Sequence, residues 1–507
     1  MESNQFNVIL TLLVFFPIFG ALLILFLKQM GHGSDDLAKR VATAVSAVTL
    51  GIAVVVLLMF DKTNPNLQLV DKFDWIPSWG ISYYLGVDGL SILMILLTAF
   101  ISLLAIIASW KAIDDQVPQY YAFMLLLQAG MTGVFLAQDL FLFYVFWEFT
   151  LIPMYFLIGI WGGPQRVYAS IKFFLYTMAG SLLMLLAILF IGTVGGTFSL
   201  PDLIAGRAAF GSAQNWLFLG FAIAFAIKVP IFPFHSWLPD AHTQAPTAGS
   251  IVLAGVLLKM GTYGFLRFNI PLFPQAAIKY APMIAVLAII GIIYGAIVSF
   301  AQTDVKKLVA YSSISHLGFV MLGIFSLNEA GIQGALLQGV NHGLSTGALF
   351  FAVGILYEQR HTREMEEFGG IWRAMPIFSV LTLIVVLSSM GLPGLNGFVG
   401  EFTILLGSMG SEALYPHPWI YTAFATTGVI LAAVYLLWMF QRVFMGPLSN
   451  PKNMNLKDIS KRELVVMLAF LLFIFWIGIA PSGYFGLMDS TVASLVDSIG
   501  TVSVAMP

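Results

Sequence analysis

Four charged side chains stand deep inside apolar runs of this sequence. Glu148 lies in FLFYVFWEFTLIPMYF, Lys228 in FAIAFAIKVPIFPF and Lys259 in SIVLAGVLLKMGTYG, while Glu401 directly follows GLPGLNGFVG. A charge at mid-bilayer costs about 2.5–3.5 kcal/mol on insertion scales, so such residues persist for ion movement or as structural salt bridges. The chemistry open to a Glu and a Lys is proton exchange. Two unit charges about 4 Å apart interact by about 4 kcal/mol at an effective dielectric near 20. At about 1.36 kcal/mol per tenfold, that is roughly a thousandfold in proton affinity. A buried lysine therefore keeps its proton while a carboxylate is near and gives it up when the carboxylate swings away. That step needs no metal and no organic cofactor.

His316 (YSSISHLGFV) and His342 (QGVNHGLSTG) suit a neutral relay, since an unperturbed imidazole titrates near about 6.5. Each is flanked by Ser, Thr, Asn or Gln, side chains that hold water. Hydrogen-bonded structural histidines and a bis-histidine haem site are the competing readings. His235 and His242, in PFHSWLPDAHTQAPTAG, lie with Asp240 in a short loop. Their spacing fits no standard metal motif, and they read as a point of proton intake or as a packed loop. Lys172 and Asp139 lie near span ends, where snorkelling is the simpler explanation, and Lys306 and Lys307 read as a solvated end.

Two of the buried charges sit beside expected helix breaks. Pro230 has no N–H and clashes with the carbonyl four residues back, freeing the Ala226 C=O, and Pro233 does the same for Val229. Gly391, Pro393 and Gly394, with Gly397 and Gly400, come just before Glu401. Non-helical backbone at membrane depth survives only where protein or trapped water satisfies it, and paired interruptions in two halves of a chain point to a transport site.

The elements that carry these residues follow from composition. Of 507 residues 59% are hydrophobic and 9% charged, against roughly 25% charged in soluble domains. A soluble fold could not hide that much apolar surface, so the chain is an integral membrane protein. It has no cysteine, which excludes thiolate zinc sites and iron–sulfur clusters within it. A net charge of −2 gives no reason to expect a nucleic-acid partner. The segment before the first apolar run holds Glu2 and no Lys or Arg, so that run is expected to be retained rather than cleaved as a signal.

At roughly 20 apolar residues per crossing, the expectation is an all-α membrane protein of about fourteen transmembrane helices. The spans fall near 8–27, 41–60, 86–109, 118–137, 140–160, 171–194, 215–234, 246–266, 280–300, 308–326, 331–356, 377–408, 418–440 and 463–486. Spans 4–8 (residues 118–270) and 9–13 (276–445) form two five-helix units, each with its fourth helix broken. Five is odd, so the second unit is inverted, as in many secondary transporters. Residues 1–117 hold spans 1–3, and 446–507 hold the last span. Loops after odd-numbered spans carry 15 Lys and Arg against 5 on the other side. By the positive-inside rule both termini then lie on the non-cytoplasmic side.

These residues also carry a resemblance. KVPIFPFHSWLPDAHTQAPTAGSIVLAGVLLKMGTYG is similar to the signature of the antiporter-like, proton-translocating membrane subunits of NADH-quinone oxidoreductase, respiratory complex I. DLFLFYVFWEFTLIPMYFLIGIWG, YSSISHLGFVMLG and GLPGLNGFVGEF resemble the same family in the same order, so the likeness spans nearly the whole chain. Within the family the M subunits are most similar, because Glu401 stands where the sister subunits L and N and the Mrp-type sodium/proton antiporter subunits usually place Lys. The resemblance implies that Glu148 pairs with Lys228, that Lys259 lies on the central axis with His316 and His342 continuing it, and that Glu401 is the terminal group. It implies no cofactor in this chain, with FMN, iron–sulfur clusters and quinone in partner subunits. It also implies subunits L and N as neighbours on either side and the bacterial inner (plasma) membrane as the location. The alternatives are an Mrp-type antiporter subunit and the plastoquinone-reducing photosynthetic relative of complex I. An absorbance spectrum of the purified chain separates the haem reading from these. No Soret band is expected, and a Soret band would overturn the proton-relay assignment of His316 and His342.

Overall fold

The computed structural model describes residues 7–31 and 33–504; Glu2 lies outside them. An apolar run in hydrocarbon satisfies its backbone polar groups only as a helix or a closed barrel, and the chain is mostly helical. Helices α1 (Ile9–Gln29) and α2 (Asp35–Met59) open it, the second capped by Ser34, whose hydroxyl accepts the Leu37 N–H at 3.1 Å. An antiparallel hairpin follows, β1 (Gln68–Ile76) and β2 (Ile81–Val87), turning at Gly80 with φ +68°. The hairpin departs from the expected all-helical chain. It forms because ISYYLGV, rich in aromatic and β-branched residues, is buried along its whole length, where strand propensity and packing agree.

The remaining helices are α3 (Ile92–Ala108), α4 (Val117–Leu136), α5 (Leu140–Trp161), α6 (Arg166–Gly195), α7 (Gln214–Lys228) and α8 (Trp237–Gln244). Then come α9 (Thr247–Leu272), α10 (Pro274–Phe300), α11 (Val305–Phe325), α12 (Glu329–Arg360), α13 (Pro376–Ser389), α14 (Asn396–Met409), α15 (Pro418–Phe444), α16 (Lys461–Ile479) and α17 (Asp489–Val504). Among the described residues eleven helices are long and apolar enough to cross a membrane, and α3 and α13 are shorter apolar helices. Burial sorts them. The most apolar stretches of α9 and α12 are 100% buried inside the chain and that of α11 is 94% buried, against 28% for α2 and 33% for α16. The three central helices carry Lys259, His342 and His316.

Two helical runs are interrupted. After Lys228 the chain leaves helix for residues 229–236. The Ala226 carbonyl next to the Pro230 break accepts Ile231 N–H at 2.8 Å instead, and the Ile227 carbonyl accepts the indole N–H of Trp237 at 2.9 Å. Between α13 and α14, Gly391 (φ +80°) and Gly394 (φ +89°) adopt the left-handed conformation, which costs glycine nothing and a Cβ-bearing residue about 1 kcal/mol or more.

Several charges sit elsewhere than the sequence suggested. Lys306 is buried, its amine donating to the Ala245 carbonyl at 2.6 Å, so it is not a solvated end; that oxygen lies at a helix junction and lacks a helical partner. Arg267, counted above with the loop charges, is buried within α9. Lys172 does not snorkel but pairs with Asp240 at 2.7 Å. His242 and Asp240 lie on α8 rather than in a loop.

Asp139 does not snorkel either. It is fully buried and caps α5, its Oδ1 accepting Phe141 N–H at 2.9 Å and Leu142 N–H at 3.1 Å. Its Oδ2 accepts the Ser82 N–H at 2.9 Å and the Ser82 hydroxyl at 3.0 Å, fastening the hairpin to α5. Burial pushes this carboxyl above the usual carboxylate range, although all four hydrogen bonds oppose the shift. Losing an N-cap costs about 0.5–2 kcal/mol, and an orphaned buried N–H about 1–3 kcal/mol. Asp139→Ala is therefore expected to destabilise the chain by about 2 kcal/mol or more, read as a lower thermal unfolding temperature in detergent. Asp139→Asn, which keeps an acceptor, should lose less.

Candidate functional site

The site is built on the most buried helix. In α9 two segments, Leu253–Leu257 and Phe265–Asn269, are wound as π turns on either side of Lys259. A π turn closes i to i+5 and shifts nearby carbonyls out of the α ladder. The Lys259 amine donates to one of them, the Ala254 carbonyl five residues back, and lies 2.6 Å from His342 Nδ1. An ammonium has only donors, so with Lys259 protonated the His342 Nδ1 accepts and its proton resides on Nε2.

His342 Nε2 has no partner among the described residues. A cavity lined by His316, Gln338, Asn341, His342, Ser345 and Ser388 adjoins it, polar enough for a water. The rings of His342 and His316 have centroids 6.0 Å apart. His316 Nδ1 lies 2.8 Å from Glu401 Oε1, and its Nε2 lies 3.2 Å from the Tyr435 hydroxyl. Glu401 also accepts from Gln338 Nε2 at 3.0 Å, while its Oε2 has no hydrogen-bond partner among the described residues.

The break between α13 and α14 is held by the same helix that holds His342. Asn341 Nδ2 donates to the Asn396 carbonyl at 2.7 Å, and the hydroxyls of Ser345 and Ser388 lie 2.7 Å apart. Gln338, Asn341, His342 and Ser345 recur at spacings of three and four, so one face of α12 is polar. It turns towards α11, α13 and α14 rather than towards lipid.

The structure thus brings Lys259, His342, His316 and Glu401 into one buried polar line. Glu148 and Lys228 stand apart from it. Among the described residues the Lys228 amine has no hydrogen-bond partner and lies 5.2 Å from the Trp147 ring and 5.8 Å from that of Phe173. Glu148, half-buried on α5, is flanked by Tyr144 and Ser181 and acts on Lys228 through space. His235 packs against Phe232 and Tyr294, and His242 stacks on Phe350 at 4.5 Å with neither ring nitrogen partnered among the described residues. No group of three or more His, Asp or Glu among the described residues is arranged to hold a metal ion.

Gln338, Tyr435, Asn396 and Ser388 belong to the site without having been singled out in the sequence. For the first the signal was present: QGVNHGLSTG puts four polar residues on one face of an otherwise apolar helix. Tyr435 gave none, since a tyrosine in an apolar run reads as packing.

Residues 137–431 match the family described as NADH:quinone oxidoreductase/Mrp antiporter, and residues 37–138 match the amino-terminal family of NADH-ubiquinone oxidoreductase chain 4. NADH-quinone oxidoreductase subunit M of Rhodobacter capsulatus is 41% identical over 514 residues, covering 98% of this chain and 99% of that one. NADH-ubiquinone oxidoreductase chain 4 of Arabidopsis thaliana is 39% identical, covering 96% of each. A chain of respiratory complex I from Thermus thermophilus superposes with a TM-score of 0.86 at 33% identity, covering 97% of this chain and 100% of that one. A chain of the Mrp complex from Dietzia sp. shares the fold, with a TM-score of 0.85 at 20% identity, covering 98% and 100%.

The hydrogen bonds around Glu401 give a stability test. Glu401→Ala leaves His316 Nδ1 and Gln338 Nε2 without their partner in a buried site, at about 1–3 kcal/mol per orphaned group, whereas Glu401→Gln keeps an acceptor. Thermal unfolding in detergent should place the alanine variant well below the glutamine variant; equal transitions would show that the contacts contribute nothing.

Proposed function

The chain belongs to the subunit M family of NADH-quinone oxidoreductase, a proton-translocating membrane-arm subunit of complex I, and from that premise we propose that its protons travel along the buried charges. Lys228, Lys259, His342, His316 and Glu401 are the groups, with Glu148 setting the charge state of Lys228. The observation that carries this is the contact of 2.6 Å between the Lys259 amine and His342 Nδ1, on the two helices whose most apolar stretches are fully buried. Proton transfer needs donor and acceptor within hydrogen-bond reach, directly or through one water. Lys259 to His342 meets the first condition, and His316 to Glu401 does so at 2.8 Å. The polar cavity between the two histidines suits the second.

The chemistry runs on the residues alone. Protonated Lys259 donates towards Nδ1 of His342, and a proton leaves that ring at Nε2 towards the cavity and His316. Glu401, held by His316 and Gln338, takes the charge at the far end. Among the described residues Lys228 has no hydrogen-bond partner, so the approach or retreat of the Glu148 carboxylate decides whether it holds a proton. His235 and His242, on the α7–α8 side of the molecule, are the proposed intake.

We read the architecture as fourteen spans with two inverted five-helix repeats, residues 118–270 and 276–445, flanked by 1–117 and 446–507. The interruptions at 229–236 and between α13 and α14 support this, one in each unit and each beside a charge of the proposed line. Subunits L and N are the proposed neighbours, with FMN, iron–sulfur clusters and quinone in partner subunits. The proposed setting is the bacterial inner membrane with both termini on the non-cytoplasmic side.

In the assembled complex Glu148→Gln or Lys259→Ala is expected to abolish proton pumping while electron transfer to an artificial acceptor survives. Acidification of proteoliposomes on NADH addition measures the first and acceptor reduction the second. Normal pumping by either variant would reduce these charges to structural elements.

A further inference from the structure

Arg267 lies in the second π turn of α9, on the other side of Lys259 from Ala254. Its side chain and that of Asp88 are 8% and 5% exposed. The guanidinium grips the carboxylate with both terminal nitrogens, one of them at 2.7 Å, while Nε donates to the Tyr263 hydroxyl at 2.8 Å. Tyr263 in turn donates to the Phe135 carbonyl at 2.8 Å, at the end of α4. Asp88 also accepts the Leu90 N–H at 3.0 Å, ahead of α3. One guanidinium thus ties α9 to the start of α3 and the end of α4, and neither charge touches the line from Lys259 to Glu401.

A buried ion pair of this kind is a weak source of stability, since desolvation offsets most of its attraction. What it supplies is geometry. Two parallel N–H···O bonds fix distance and orientation together, as a lysine cannot. A π turn, for its part, is rare and occurs mostly as a single-turn bulge inside an α-helix, frequently at a functional site. The segment Leu258–Gly264, which carries Lys259, is held between two such turns.

We infer that the Asp88–Arg267 pair is a positioning device for Lys259: it pins the second π turn of α9 and so fixes the rotation and depth at which the amine meets the Ala254 carbonyl and His342 Nδ1. The inference rests on the proton-line reading above. Arg267 and Asp88 are positioning residues, Tyr263 is the hinge between Arg267 and α4, and no proton passes through any of them.

The test uses the full complex in proteoliposomes. Arg267→Lys keeps the charge and loses the fork; Tyr263→Phe keeps the ion pair and loses the Nε contact. For each, protons moved per NADH oxidised are measured across the pH range, together with the amount of assembled complex and electron transfer to an artificial acceptor. Arg267→Lys is expected to assemble and transfer electrons as the parent does. Its pumping should fall several-fold per assembled complex, with the pH profile displaced by about half a unit or more, since a moved amine changes its proton exchange with His342. Tyr263→Phe should shift the profile the same way by less. Parental pumping and profile in both variants would overturn the inference, as would losses that only track the amount of complex assembled. Lys259→Ala measured alongside separates the cases: if it pumps normally, the proton line itself fails; if it is silent while Arg267→Lys behaves as the parent, only the positioning role fails.

Discussion

The contact between the Lys259 amine and His342 depends on a constraint that shapes the whole chain: an ionisable group at membrane depth must be kept from lipid on every side. That requirement explains why α9, α11 and α12 are wholly or almost wholly buried while α1, α2 and α16 are not. The outer helices present apolar side chains outward and shield the three that carry Lys259, His316 and His342. With lipid excluded, amine, imidazole and carboxylate find protein partners at 2.6–3.2 Å. In contact with acyl chains each would be an uncompensated polar group.

The chain departs from regular helix beside Lys228, Lys259 and Glu401. In α9 the Ala254 carbonyl, within the first π turn, accepts from the Lys259 amine. The interruption after Lys228 is closed by Trp237 and by a shifted backbone bond, and that between α13 and α14 by Asn341 and by serine hydroxyls. The backbone defects and the buried charges are one arrangement, because each defect supplies or absorbs the polar contacts that the neighbouring charge or helix end requires.

The sequence was most legible where one rule acts alone. Apolar length marked where the membrane-crossing helices lie, and proline and glycine marked Pro230, Pro233, Gly391, Pro393 and Gly394 as places where a helix cannot continue. It was less legible where the outcome depends on partners distant in the chain. Asp139 reads as a span-end charge until Ser82 is beside it, Lys306 as solvated until the Ala245 carbonyl is, and Arg267 as a loop charge until Asp88 is. The hairpin is hidden for a similar reason, since β2 gains its burial from α1, α4 and α5. Glu148 and Lys228, which the resemblance pairs, make no direct hydrogen bond among the described residues and interact through space, the lysine standing against the Trp147 and Phe173 rings.

The central claim is that protons pass from Lys259 to Glu401 through the imidazoles rather than around them. The most direct measurement is the number of protons translocated per NADH oxidised by complex I carrying His342→Phe, a substitution that fills the space and removes both ring nitrogens. Proton translocation is predicted to stop, as with Lys259→Ala, while NADH oxidation with an artificial acceptor continues. An unchanged ratio in the assembled variant would contradict the account.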